Sequence, residues 1–422
     1  MKVRKVRTLF TAYAMLMMFL FTGCGRNTAA DYIEATTVAT EETALIQLPE
    51  AETSQMPEEK TTDVSQLQDA EEAEETKSAQ ADIVMVGDVL LHEKVSDSGC
   101  MDDGTYQYDH LFANVKDEIE AADIAIVNQE VILGGRELGL SGYPSFNGAY
   151  EVGDSLVNAG FDVILHATNH ALDKGKKGLL NCIHFWQEHY PQTAFLGIHD
   201  SQEAADEIYV TQVNGIKIAI LNYTYGTNGI SLPKDMPYAV DLWNEDEIRK
   251  DMELAEREAD FTVVCPHWGT EYKLQETADQ QAKAQFLADL GADLIIGTHP
   301  HVIEPVKWIT GESGNETLVY YSLGNFINAT SGTGSGTAAR MVGAMAQITV
   351  TMDEADAYIS SYGVEPLVTH NVTGQGQLTT YRLRDYTEEL ADANEMRRQD
   401  SSFSLSYCQS LCREVFGDLY QP

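Results

Sequence analysis

The chain is short of positive charge. It carries 27 Lys and Arg against 66 Asp and Glu, a formal net charge of −39 over 422 residues. A surface of that sign excludes general nucleic-acid binding, which needs basic side chains against phosphates. Cysteine is scarce too, with six in all and no Cys-x-x-Cys. After Cys24 the remaining five (100, 182, 265, 408 and 412) are odd in number and scattered, which excludes a disulfide framework. The apolar run Leu9–Phe21 is too short to span a membrane comfortably. What is present is a 43% hydrophobic composition, enough for a substantial core.

The ends of the chain read differently. Met1–Arg7 is a basic leader and Leu9–Phe21 its apolar stretch, running into Leu20-Phe21-Thr22-Gly23-Cys24. That ending resembles a bacterial lipobox, so residues 1–24 are read as a lipoprotein signal with Cys24 as the lipidated N-terminus. This places the protein on the outer face of the cell membrane, held by a lipid anchor. Residues 25–80 are rich in Glu, Ala, Thr and Gln and poor in aromatics. Such a stretch cannot bury enough apolar surface to offset ordering entropy, so it reads as a disordered, self-repelling tether. Even without the leader and tether, the rest of the chain keeps a net charge of about −32.

From Asp82 apolar strands alternate with helical periods, which argues a layered α/β fold with a largely parallel sheet. Strands are predicted at 82–87, 123–127, 162–167, 261–265 and 293–297. Helices are predicted near 109–121, 151–159, 175–189, 244–258 and 277–290. A hairpin (207–213 and 216–221) turns at Asn214-Gly215. Two further strands follow at 304–309 and 317–322. Residues 81–340 read as the main domain. Residues 341–422 read as its extension, β-rich to 384 and then helical.

Five of the strands end in N- or O-donor residues: Asp88, Asn128-Gln129-Glu130, Asn169-His170, His267, and His299-Pro300-His301. In α/β sheets ligands bind at the carboxyl ends of the strands. Two His with one residue between them can aim two imidazoles at one point. Asp88, Glu130, Asn169, His267, His299 and His301 together are mixed N/O donors without thiolate. That suits Mn²⁺, Fe or Zn²⁺ in an open catalytic site, as one ion or two. His170 reads as a general acid supported by Asp173, or as a structural histidine held by it. Asn128 can orient Glu130 or bind substrate, and Asn325 can hold the His301 loop or contact substrate. Trp268 can line a groove or pack in the core, and Glu271 and Tyr272 read as pocket walls. Gly332–Gly336 can cradle an anion with backbone N–H groups or form a plain loop.

The order Gly87-Asp88, Asn128-x-Glu130, Ala167-Thr168-Asn169-His170-Ala171-x-Asp173-x-Gly175, His267-Trp268-Gly269-x-Glu271-Tyr272, Gly297-x-His299-Pro300-His301 and Tyr321-Ser322-Leu323-Gly324-Asn325-Phe326 resembles the CapA family. That family is associated with poly-γ-glutamate capsule synthesis and export, and its fold is similar to the calcineurin-like metallophosphoesterases. The resemblance covers about 82–330. It implies a four-layer α/β/β/α sandwich with its site at the strand ends and a C-terminal β-rich extension. It also implies a divalent metal, an anionic polymer such as poly-γ-glutamate as partner, and membrane synthase subunits nearby. Two positions depart from the phosphoesterase pattern. Leu90 stands where the first motif has His, with His92 two residues on, and Glu130 stands where the second has Asp. Three readings follow: a polymer-handling protein with a metal-dependent site, an extracellular metal-dependent phosphoesterase or nucleotidase, and a non-catalytic scaffold of a membrane synthase.

Overall fold

In a computed structural model the described residues are 78–354, 356–372 and 377–422. The leader, Cys24 and nearly all of the tether lie outside them. The first described strand, β1, runs Ala79–Val89 and so takes in residues 79 and 80, read from the sequence as the end of the tether.

Chain order and sheet membership go together. β1, β2 (Ile124–Asn128), β3 (Val163–Leu165) and β4 (Ala194–Leu196) pair in parallel. The chain then builds a second sheet from β5 (Tyr209–Val213), β6 (Ile216–Thr224), β7 (Phe261–His267), β8 (Leu294–Ile296), β9 (Val306–Thr310) and β10 (Glu316–Tyr320). Its order is β5-β6-β7-β8-β10-β9. β5 and β6 form the expected hairpin, with Asn214 and Gly215 both at positive φ. The chain finally returns to the first sheet with β11 (Asn325–Ile327), β12 (Val342–Met352), β13 (Ala357–Val372) and β14 (Gln377–Arg382). β12 lies antiparallel against β1, from Ala79↔Met352 to Val86↔Met345. The C-terminal extension is therefore built into the first sheet, and Lys77–Pro422 forms one compact unit.

Both faces of both sheets are covered, which is why the strands read as continuous apolar runs. Side chains alternate across a strand. Ile83, Met85, Ile126 and Leu165 meet Ile218, Ile220, Val263, Cys265 and Ile296 between the sheets. Val84, Val86, Val127 and Ile164 pack outward with Leu156, Leu179, Ile183 and Trp186 of the helices Tyr150–Asn158 and Gly175–His189. On the second sheet Ala219, Val264, Ile295 and Val319 pack outward against the helices Glu245–Glu258 and Ala278–Asp289. The layer order is α/β/β/α. Each fully buried side chain of this kind contributes roughly 1.5–3 kcal/mol. The helix Leu405–Phe416 adds Cys408, Leu411, Cys412 and Phe416 to the inter-sheet cluster.

Capping fixes the second pair of helices. Asn244 accepts from the backbone N–H of Asp246 and Glu247, and Thr277 forms a reciprocal capping box with Gln280. The helix expected over 109–121 is instead a 3₁₀ turn, Asp109–Leu111, and a short helix, Lys116–Glu120. Val115 between them leaves the helical region, with φ −132°. Asn114 turns its side chain away to Thr379 on β14, 3.1 Å distant. Phe112, Val115 and Ile119 are still buried, so the apolar period marks a core face but not one helix.

Candidate metal centre

Strand register brings the first donors side by side. Asp88 is opposite Asn128 on β2 and Asn325 on β11. The motif glycine before it has a packing reason. A Cβ on Gly87 would sit 1.9 Å from the carbonyl oxygen of Gly324, so only glycine lets β11 approach. On the second sheet His267 ends β7 and bridges Thr298 just past β8. A Cβ on Gly297 would sit 2.2 Å from the Tyr321 carbonyl oxygen. His299 and His301 follow at φ +98° and +57°, in the left-handed region that non-glycine residues seldom occupy. Such strain persists where surrounding contacts hold it. Here the Tyr272 N–H donates to the Pro300 carbonyl at 2.7 Å, and Asn325 Nδ2 donates to the His301 carbonyl at 3.0 Å.

The donors converge. Glu130, His299 and His301 offer ligand atoms within 4.8 Å of one another. Glu130 Oε1 lies 3.6 Å from His301 Nε2, 3.8 Å from His267 Nε2 and 3.9 Å from His170 Nε2. His301 presents its other nitrogen to Asp88 Oδ2 at 3.1 Å. His267 Nε2 donates to Asn169 Oδ1 at 2.9 Å. The six residues read as metal ligands from the sequence are thus brought into one buried cluster.

Electrostatics divides this cluster into two halves. Burial pushes the Glu130 carboxyl well above the usual carboxylate range. His301 pulls against that and Asp88 adds to it. Burial, followed by the neighbouring imidazoles, pushes His267 and His299 well below the usual histidine range, so both are neutral; His299 Nδ1 is open, while His267 Nδ1 lies 2.9 Å from Thr298 Oγ1. Burial also works against a charged His301, but the Glu130 carboxylate and the bond to Asp88 outweigh it and hold His301 up to about 10. Among the described residues both Glu130 carboxylate oxygens, His299 Nδ1 and Asn128 Oδ1 are buried without a hydrogen-bond partner. Buried polar atoms are ordinarily paired. Carboxylate, amide and imidazole donors left open at one point fit a divalent cation.

Around the donors, other side chains set orientation. His170 points Nε2 at Glu130 and Nδ1 at Asp173 Oδ2, 2.7 Å away. Phe146 stands edge-on to its ring at 4.7 Å, and the Asp173 carboxylate also accepts from the Phe146 N–H. Asp173 therefore acts through His170. Asn128 Nδ2 donates to Asp88 Oδ1 at 2.8 Å. Asn325 holds the carbonyls of His301 and Arg340. Both amides are buried, and their Nδ2 groups are used within the protein beside the ligands. Of the two alternatives for Trp268, core packing fits: it is 1% exposed, packs on the outer face of the second sheet and donates to the Tyr321 carbonyl. Tyr272 and Glu271 are exposed beside the site, Tyr272 with its ring 6.1 Å from that of His301. Leu90, at the departing motif position, is buried in the outer core of the first sheet.

Tyr225, Asn228 and Arg340 were missed by the sequence reading, which named His92 only beside the departing motif position. Tyr225 lies over His299 with ring centroids 4.7 Å apart, and Asn228 reaches Asn169 and His170. They follow β6, a strand end that the same reading could have used. His92 sits close enough for His301, His170 and Arg340 to add to burial in lowering it to about 4. Arg340 stacks on Tyr272, 3.5 Å from the ring centroid.

Residues 82–330 match the family model described as "Bacterial capsule synthesis protein PGA_cap". The "PGA biosynthesis protein CapA" of Bacillus subtilis (strain 168) is 34% identical over 173 residues, 41% of this chain and 44% of that protein. The "Capsule biosynthesis protein CapA" of Bacillus anthracis is 28% identical over 254 residues, 58% of this chain and 59% of that protein. The chain thus spans about half the length of the curated relatives it matches. A solved calcineurin-like phosphoesterase, YfkN from Bacillus subtilis, is 12% identical with a TM-score of 0.39, over 68% of this chain and 90% of that one. With more than half of its residues matched by the family model, the chain belongs to the bacterial capsule synthesis protein family PGA_cap.

Proposed function

We propose that this chain is a CapA-like protein that acts in synthesis, export or anchoring of poly-γ-glutamate through a site that holds one or two divalent cations. One observation carries the metal part: a fully buried Glu130 whose two oxygens have no hydrogen-bond partner, faced by His267, His299 and His301. The polymer part is supported by family membership and by the names of the two CapA relatives. Asp88, Glu130, Asn169, His267, His299 and His301 would hold the cation, with Mn²⁺, Fe and Zn²⁺ as candidates. A bound cation would supply Lewis-acid polarisation of an oxygen and a local reversal of the negative field. That reversal answers a difficulty of charge, since a domain near −32 otherwise repels a polyanion. A lipid anchor on Cys24 would keep the site at the outer membrane surface, beside the synthase subunits that make the polymer.

The test is metal analysis of the purified full chain, wild type against His299→Ala, together with surface polymer in a deletion strain complemented by each. The reading expects metal and polymer to be lost together. Full metal content in His299→Ala would reject this centre, and unchanged polymer in the deletion strain would reject the polymer role.

A second reading rests on His170. Its Nδ1 is held by Asp173 and its Nε2 faces the donors, which is the arrangement of a general acid. An extracellular phosphoesterase or nucleotidase would use it to protonate a leaving oxygen. Turnover of a phosphodiester or nucleotide with added Mn²⁺, abolished in His170→Ala, would favour that reading over a non-catalytic scaffold.

A further inference from the structure

Arg340 stands out in so acidic a chain. It belongs to the 3₁₀ turn Thr337–Met341, between the Gly332–Gly336 loop and β12. Six other arginines of the unit lie against carboxylates, as Arg136 does on Glu151 and Arg384 on Glu365, while Arg249 and Arg413 stack on Phe286 and Tyr420, away from the donor cluster. Among the described residues no carboxylate stands within ion-pair distance of Arg340. Its side chain has a long contact of 3.5 Å from Nη1 to Thr330 Oγ1, and its Nε is buried without a partner. Its backbone carbonyl, by contrast, is doubly held by Asn325 and Asn328. The guanidinium carbon lies 3.5 Å from the ring centroid of Tyr272, whose ring neighbours His301. Stacking of this kind holds the plane of the fork and leaves its edge free for a bidentate oxyanion.

The glycine loop has a part in this. A Cβ on Gly332 would lie 3.0 Å from Arg340 Nη1, so a side chain there would crowd the fork. An arginine with a buried, unpartnered Nε beside the donor cluster, in a chain with 66 acidic residues, is costly unless an anion completes it. We propose that Arg340, stacked on Tyr272, is the specificity-determining residue of this site and binds a carboxylate of the substrate. A γ-linked glutamate chain carries one free α-carboxylate per residue. Arg340 would take one such carboxylate at the rim while the neighbouring residue of the chain lies over the donors. This rests on the polymer reading above and names the group that recognises the polymer.

The experiment uses the full chain loaded with Mn²⁺ and a short γ-linked glutamate oligomer as probe. Inorganic phosphate and the corresponding γ-linked oligomer with its α-carboxylates amidated are the comparison probes. Wild type, Arg340→Gln and Arg340→Lys are compared by calorimetry, with metal content and cooperative thermal unfolding measured on each. The expected result is about tenfold or more weaker oligomer binding in Arg340→Gln, at unchanged metal content. Arg340→Lys should recover only part of it, because an ammonium cannot form the planar fork. The amidated oligomer should bind weakly to all three. Equal oligomer binding by wild type and Arg340→Gln would overturn the role of Arg340 and leave the polymer reading standing. Arg340-dependent binding of phosphate without oligomer binding would overturn both the carboxylate assignment and the polymer reading. If Arg340→Gln loses metal or cooperative unfolding, Tyr272→Leu supplies the second test. It removes the stacking face, and the proposal then expects weaker oligomer binding at wild-type metal content, with unchanged binding overturning it.

Discussion

Two buried carboxylates, Glu130 and Glu304, make an instructive pair. Both are fully buried, and burial pushes both upward, Glu304 to about 8. Their surroundings differ. Glu304 Oε2 accepts from Gln280 Nε2 at 2.6 Å, and Gln280 is itself locked in the Thr277 capping box. Glu304 answers to one amide under a helix N-terminus, and its other oxygen is left over. Glu130 has no such amide. Its neighbours are the imidazoles of His170, His267 and His301, of which His267 is driven neutral, beside a second carboxylate, Asp88. A buried acid with one donor is a local cost of packing. A buried acid facing nitrogen and oxygen donors is a candidate for cation binding. An upward shift in pKa does not separate the two cases, whereas the identity and aim of the neighbours does.

The largest effect should come from exchanging these acids one at a time. Glu130→Gln removes the carboxylate nearest to three imidazoles. Cation affinity should fall by more than the roughly 10–100-fold that loss of a supporting partner gives. The metal-free protein should become more stable, because an unsatisfied buried acid is gone. Glu304→Gln should leave metal content at the wild-type level. Metal retained in Glu130→Gln, or lost in Glu304→Gln, would erase the distinction between the two regions. Metal analysis after dialysis and a thermal unfolding series read both.

Glu304→Gln should act on stability instead, with a definite dependence on pH. Below about pH 4.5 the carboxyl is protonated in folded and unfolded chains alike, and the substitution should change little. Between 4.5 and about 8 the unfolded chain releases a proton that the folded chain keeps. Wild-type stability therefore falls as pH rises through that window. Glutamine does not titrate, so the variant gains on wild type across the window. The gain should reach about 2 kcal/mol at pH 9, allowing for water penetration around the ion. Urea unfolding at pH 4, 6.5 and 9 measures it, and a flat difference across the three would show that Glu304 is not held protonated.

Much of the centre was legible in the sequence because its strands are buried on both faces. Continuous apolar runs end where donors begin, so Asp88, Glu130, Asn169, His267, His299 and His301 could be read as strand endings. The same rule failed where the contributing residue follows no recognised ending. Arg340 lies on a 3₁₀ turn and His92 just before the short helix Glu93–Ser98, so neither is marked by a strand end. Trp268 was left open between groove and core, although successive residues at the end of a strand face opposite ways. His267 turns into the donor cluster and Trp268 into the helix layer. The roles of Asn128 and Asn325 had been left open. Register places both opposite Asp88, beside the donor cluster.

The smallest effect is also the one that separates the two regions most finely, because one short segment serves both. His301 and Glu304 stand three residues apart on the connection from β8 to β9. Asn325 faces His301 with both ends of its amide, Oδ1 at 3.1 Å from Nδ1 and Nδ2 on the carbonyl. Gln280 bonds the Glu304 carboxylate. If the segment is a rigid unit, Asn325→Ala should disturb both carboxylate regions. If each end is held by its own amide, the substitution should free the imidazole and the left-handed His301 backbone alone. The geometry favours the second case, because Glu304 is also fixed by its N–H on the Ser322 carbonyl at 3.1 Å. Asn325→Ala should therefore weaken cation binding by about tenfold. The fall of stability between pH 4.5 and 8 should keep its wild-type slope, since that slope belongs to Glu304. A changed slope would mean that the two buried carboxylates are coupled through the segment between them.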